Sequence, residues 1–288
     1  LVSVSTVDGN DGAVNVFIGN GQTLVLGNEA TTIGTIRNDF DKSQFEVSFN
    51  SGGSDYSISS QITGGKLGGL LAFREEVINP VQDSMGRIAI GLAATFNTQH
   101  QLGDDINGNS GGLFFNGILA SSPEVLSSSN NNPASGTVSV SITDPNLMQA
   151  SDYRLNYDGA TFSLQRVSDN TVVDSGFAIG DFPRTVAADG ITLTLAGGVA
   201  AGDSFLIRPV RNGGNDIDVA ISSAAEFAAA ASGNALGDNS NALSLAAMQL
   251  NNVLGCSTET YQSAYAKLVA TVGGTTNKAK VNADAQLA

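Results

Sequence analysis

From Ile78 to Phe96 apolar side chains recur at Ile78, Val81, Met85, Ile88, Leu92 and Phe96, with spacings of three or four. That rhythm lays one apolar stripe along one face of an α-helix, and a striped helix in water needs a partner. Pro80 suits a first helical turn, where its missing N–H would be unpaired anyway. The regular helix is therefore expected to start near Pro80, with Leu67 to Val77 as a shorter helical lead-in. Asp104–Asp105 and the polar run Asn107 to Gly112 are expected to end it near Leu102 or Gly103.

Residues 1 to 62 read as strands. Val2, Val4 and Thr6 alternate with polar positions, as do Val14, Val16 and Ile18. Asn20–Gly21 is a two-residue hairpin signal, because both central positions of a type I′ turn need positive φ. A strand from Thr23 to Leu26 is expected next. A second, half-buried hairpin follows, in which Phe45, Val47 and Phe49 lead through Ser51–Gly52–Gly53–Ser54 to Tyr56, Ile58 and Ile62. These strands are expected to cover the striped helix as one α+β unit.

After Phe115 the texture changes. Residues 116 to 135, with Ser127–Ser128–Ser129–Asn130–Asn131–Asn132–Pro133, read as a polar connector. From Gly136 to Pro209 the period is two: Val138, Val140 and Ile142; Tyr153, Leu155 and Tyr157; then, past Asp158–Gly159, Phe162 and Leu164. Turns at Asp169–Asn170, Asp189–Gly190 and Gly202–Asp203 lead into Val172–Val173, Ile191 to Leu195, and Phe205 to Ile207. Short strands with turn chemistry at such intervals suggest a small sandwich or open barrel.

Helices return beyond Arg211–Asn212–Gly213–Gly214. Ser223 with Glu226 is a capping-box pattern opening an Ala-rich run to Ala231. Asp238 or Asn239 opens a second helix with Leu243, Ala246, Ala247, Leu250, Val253 and Leu254 on one side, and Ser257 a third with Tyr261, Tyr265, Leu268 and Val272. Striped helices before and after a β block need one another, because none can bury its apolar face alone. The expected fold is thus α+β: a discontinuous helix-rich domain over 1–115 plus 216–288, with long antiparallel helices and β-hairpins, and an all-β domain inserted at 116–215.

Composition narrows the function. At 288 residues and 41% hydrophobic, the chain can bury real cores in about two domains. With 13 basic against 27 acidic residues and a net charge of -14, a nucleic-acid partner is excluded, since phosphate binding needs clustered Lys and Arg. No apolar run is long enough for a membrane span, and the stretch from Leu1 has neither a basic n-region nor an apolar h-region. A single cysteine, Cys256, excludes an intrachain disulfide, and its ordinary reading is a small apolar residue after a helix.

Catalytic and metal-binding patterns are also missing. The one histidine, His100, lies a turn past Phe96, where capping a carbonyl or packing at the helix edge is the ordinary role. Asp105, Asn107 and Asn109 open like a calcium loop, but the glycine falls late, at Gly111, and Asn116 stands where the bidentate Glu belongs. Gly213 to Asp218 resembles one calcium nonapeptide, and such repeats bind only as arrays. Gly64 to Gly69 and Gly197–Gly198 lack phosphate-loop context and read as turns. Glu75–Glu76 and Asp104–Asp105 read as solvated acids. Catalytic, cofactor-binding and metal residues are all expected to be none.

Gly64–Gly65–Lys66–Leu67–Gly68–Gly69–Leu70–Leu71, then Arg74, Ala93, Phe96, Asn97, His100, Gly103, Asp105, Gly108, Gly112, Phe114 and Phe115 form a block with fixed internal spacing. The block resembles the middle of the flagellar hook-associated protein FlgK family. Gly237 to Leu243 and Tyr261, Ala264–Tyr265, Leu268, Val272 and Gly273 resemble the same family, while the β block matches in texture only. The resemblance implies a structural subunit at the hook–filament junction, outside the cell, exported without a cleavable signal peptide and needed for filament assembly. It implies as partners the hook protein, the second junction protein, further copies in a ring, and an export chaperone reached through terminal coiled-coil regions that this chain lacks. The alternative expectation is a secreted glycan-binding or adhesion module, against which the absence of Trp weighs.

Overall fold

Alternating residues in the first third form two small antiparallel sheets. Strands β1 (Val4–Asp8), β2 (Val14–Ile18), β3 (Gln22–Leu26) and β4 (Glu29–Ala30) make one, in that order; β5 (Ile33–Arg37), β6 (Phe45–Ser51) and β7 (Ser54–Ser57) make the other. The structure, a computed structural model, describes residues 2–9, 12–118, 123–233 and 237–287. The chain divides into two compact units, Leu1–Asn79 and Pro80–Ala288. The expected grouping of 1–115 with 216–288 places no boundary there, because a helical backbone runs through Asn79 without any change of composition.

In the first unit the β2–β3 loop is Gly19–Asn20–Gly21 rather than a two-residue turn, and the positive φ falls on Gly19 and Gly21. Ser51 pairs with Ser54 across Gly52–Gly53, as expected, both glycines having positive φ. Ile18, Ile58 and Ile62 form the buried core, to which the helix α1 (Gly65–Phe73) contributes Leu67 and Leu71. The helical residues these strands cover are thus on the lead-in. On β6 Val47 and Phe49 pack half-buried against that core, as expected, but the opposite face is covered too. Glu46 and Ser48 are buried and Phe45 is exposed, because Glu46 receives Arg74 and Asn38 side chains at 3.1 and 3.0 Å.

Gly64 and Gly65, both with positive φ, turn the chain into α1, of which Gly65 is the first residue, whereas Gly68 and Gly69 lie in its interior. The helix then widens into a π turn, Arg74–Ile78, in which the Asn79 N–H reaches the Arg74 carbonyl. It continues as α2 (Asn79–His100). The regular α-helix thus starts beside Pro80, as expected, although the helical backbone runs into it unbroken from the lead-in. Proline lacks a donor and crowds the carbonyl four residues back, and a widened turn just before it relieves both.

In the second unit, strands β13 (Val172–Phe177), β12 (Phe162–Arg166), β11 (Tyr153–Tyr157), β16 (Ser204–Arg208) and β9 (Glu124–Ser127) form one sheet, and β10 (Thr137–Ile142), β15 (Ile191–Ala196) and β14 (Arg184–Val186) another. One core is shared by Tyr153, Leu155, Phe162, Leu164, Phe205 and Ile207 of the first with Val138, Val186, Ile191 and Leu193 of the second, so the module is a sandwich. Within the expected connector, β9 is a strand, its polar run starting only at Ser127.

The helices after the sandwich depart most from expectation. Ser223 does cap, accepting the Ala225 N–H, but only a short 3-10 turn, Ala224–Glu226, follows. Ala230–Ala231 is a strand, β17, paired with β8 (Gly103–Asp104). After the single turn α3 (Gly213–Asp216), α4 spans only Ser240–Ala247, and α5 starts at Tyr261 and continues through Gly273–Gly274 to Leu287. Cys256 is exposed in the turn between them. Ser257, expected to open α5, is held otherwise: it and Cys256 before it have positive φ and bond Asn146.

Candidate functional site

The α2 face that is buried is not the apolar stripe. Asp83, Gly86, Ile90, Ala93, Asn97 and His100 are buried, while Met85 is 40% exposed and Ile88, Leu92 and Phe96 only half-buried. The seam is displaced from the stripe by one residue, about 100° around a helix. At its centre Ala89, Ile90 and Ala93 pack on Ile118, Met148 and Val210.

Where α2 ends, polar side chains hold the chain that follows. Asn97 accepts the N–H groups of Phe114 and Phe115 at 2.9 and 2.8 Å and donates to the Phe115 carbonyl at 3.0 Å. His100 is fully buried; its Nδ1–H donates to the Gly112 carbonyl at 2.9 Å, and its Nε2 accepts the Ala228 N–H at 2.9 Å. Those two partners define a neutral tautomer with both nitrogens engaged, ringed by Phe96, Phe114 and Phe227. Asn241 of α4 donates to the Ala228 carbonyl at 2.7 Å and accepts Gln99 at 2.7 Å. Gly103 is required here: a Cβ on it would stand 2.2 Å from the Asn241 amide nitrogen.

Further along, Arg87 donates to Glu259 at 2.7 Å, and Thr95 and Tyr261 share a short hydrogen bond. Helix 80–100 thus meets 228–261 through loop residues Ala228 and Glu259 and through Asn241 and Tyr261 in the first turns of α4 and α5. On α5 the covered residues are Ala264 and Leu268, and Tyr265 is 54% exposed.

Beside the sandwich a second set of groups gathers. Arg211 clamps Asp83 through Nε at 2.6 Å and Nη2 at 3.1 Å, and donates from Nη2 to Asp152 at 2.8 Å. Arg208 stands 3.4 Å from Asp152 and 3.5 Å from Glu124. A pattern of spacing had no means of finding this set, since its members are lone charges far apart in sequence.

The candidate calcium loop is held by its own chain. Asp105 accepts the N–H groups of Asn107 and Asn109 at 2.7 and 2.9 Å, and the Asn109 amide at 3.1 Å. The Asn109 backbone bond comes first in holding that carboxyl below its usual range. Asp104 receives the Gly233 N–H, Glu75 pairs with Arg74 and Asn79, and Asp218 accepts the Val219 N–H. Among the described residues no group of three or more His, Cys, Asp or Glu side chains could hold a metal ion, and no helix is long and apolar enough to cross a membrane.

Residues 1–115 match the model of the FlgK helical domain of flagellar hook-associated proteins, and residues 126–209 match that of a D2-like domain of flagellar hook-associated protein 1. Relatives named flagellar hook-associated protein 1 from Salmonella typhimurium (strain LT2) and Escherichia coli (strain K12) are 32% and 31% identical, each over 99% of this chain. The structure of the flagellar hook junction protein FlgK from Burkholderia pseudomallei has a TM-score of 0.87 at 24% identity, covering 99% of this chain and 73% of that one, a likeness of fold. The class defined by these matches is that of the bacterial flagellar hook-associated proteins. Within it, the chain belongs to the FlgK family. It spans 52% of the Salmonella relative's length, about half. Asn97, His100, Gly103, Gly112, Phe114 and Phe115, which carried the resemblance in the sequence, are the residues that assemble at the end of α2.

Proposed function

We propose that this chain contributes to a structural subunit of the flagellum at the hook–filament junction, where it is needed for filament assembly, and that it performs no catalysis. The observation that carries the reading is identity of 32% over 99% of the chain with a relative named flagellar hook-associated protein 1. The use of its one histidine as a doubly engaged structural group agrees with it. Its partners are the hook protein, the second junction protein and further copies of itself in a ring, on the outside of the cell, with an export chaperone before assembly. Head-to-tail contacts of that kind need two unlike faces.

In this reading the helical region makes the subunit contacts and the sandwich of residues 116–215, an inserted domain, faces outward. Supporting that division, Met85, Leu243, Leu250, Tyr265 and Val269 are large apolar side chains left exposed on the helical elements and the turn after α4. A strain lacking the gene should make hooks without filaments; normal filaments would overturn the junction role. For the division, Val172→Cys and Leu250→Cys are made in a Cys256→Ser background. Maleimide should label the first and not the second on intact flagella, and the reverse pattern would reject it.

A further inference from the structure

Five charged side chains meet where α2 joins the sandwich: Asp83 from α2, Glu124 from β9, Asp152 from the residue before β11, Arg208 at the end of β16 and Arg211 just after it. The side chains of Asp83, Asp152 and Arg211 are only 7%, 9% and 9% exposed. Asp152 Oδ2 faces both arginines, while its Oδ1 is buried without a hydrogen-bond partner. Arg87, the next charge along α2, is taken up by Glu259.

We propose that this set is a proton-operated latch, gripping α2 against the sandwich most firmly when Asp152 carries a proton and slackening as that proton leaves.

The charge balance is the reason. With Asp152 neutral, two carboxylates, Asp83 and Glu124, face two guanidinium groups. With Asp152 ionised, three carboxylates face two, and the surplus charge falls on a side chain only 9% exposed. Burial, and then the neighbouring Asp83, push the Asp152 carboxyl up to about 7, against the pull of Arg211 and Arg208. Burial raises Asp83 as well, with Arg211 opposing. The folded protein therefore keeps a proton that the unfolded chain releases near pH 4, so stability falls as pH rises from about 4 to about 7 and levels off above. What the latch holds is a close approach of backbone to backbone, Gly86 on Val210 and Gly213.

The test compares the protein with its Asp152→Asn variant. The thermal midpoint of the wild type should fall between about pH 5.5 and about pH 8, and the variant should lose that slope. Deuterium exchange, corrected for the intrinsic rate, should rise several-fold over the same range in residues 86–93 and 210–217 of the wild type, and not in β11 and β12. Equal slopes in the two proteins would overturn the proposal. As a measurement independent of the variant's folding, the carboxyl carbon of Asp152 is also followed by NMR in the wild type. A midpoint near neutrality supports the latch, and one below about pH 5 refutes it.

Discussion

A Cβ built on Gly86 would lie 1.7 Å from the carbonyl oxygen of Val210. Main chain meets main chain there, and Gly213 returns the contact, its Cβ position being 2.7 Å from the Gly86 carbonyl oxygen and 2.8 Å from the Ile90 side chain. Gly86→Ala cannot be absorbed by a rotamer change and should destabilise the protein by about 1–3 kcal/mol or more. Urea unfolding measures this, and an unchanged midpoint would show that the two backbones can part freely.

Asn97 satisfies three backbone groups from a buried position. Asn97→Leu would keep the volume and strand the Phe114 and Phe115 N–H groups, at a cost of about 2–4 kcal/mol. An unchanged unfolding midpoint would mean that water replaces the side chain.

His100→Phe should preserve the aromatic packing and lose both ring-nitrogen bonds, those to Gly112 and Ala228. The expected loss is about 1–3 kcal/mol, with native circular dichroism retained. If the variant were as stable as the wild type, the ring would matter only as an apolar filler.

Gly273 and Gly274 lie inside α5, and a Cβ on either meets nothing within 4 Å. Each change to Ala should therefore add about 0.5–1 kcal/mol to helix stability. Helical signal and thermal midpoint should both rise; a fall would mean that these positions serve a bend or a close contact in the assembled state.

Acid should destabilise through groups other than Asp152. Backbone bonds from Thr161 and Ala160 hold Asp158 below the usual carboxylate range. At Glu259 burial pushes upward, yet the hydrogen bonds from Arg87 and Lys267 outweigh it and leave it lowered. Such groups contribute stability that is present above the usual carboxylate range and is lost as pH falls through their folded values, so the midpoint should drop below about pH 4. Glu259→Gln should flatten part of that acid slope, and an identical slope would remove Glu259 from the account.

Residues 78–96 show how far the sequence could be read. Their spacing gave helix and approximate length. The buried face was misplaced by one residue, because apolar spacing records where a helix is greasy, whereas this helix buries Asp83, Asn97 and His100 to hold backbone and arginine. The same happens at Asn241, buried while Leu243 beside it is 62% exposed. Glycine at 86 and 103 marks close approach, but a helix-interior glycine and a loop glycine look alike until the opposing backbone is in place.

Local periodicity and turn chemistry, which act within a few residues, were enough to specify most strands, the hairpin at Gly52–Gly53, the long helix and the texture change after Phe115. The tertiary structure alone decided which face α2 buries, that Ala230–Ala231 pairs with Gly103–Asp104 instead of continuing a helix, and that Asp83, Asp152 and Arg211 share one enclosure. Burial of polar groups depends on partners more than a hundred residues away, such as Arg211 for Asp83, and no short-range pattern encodes where those partners will stand.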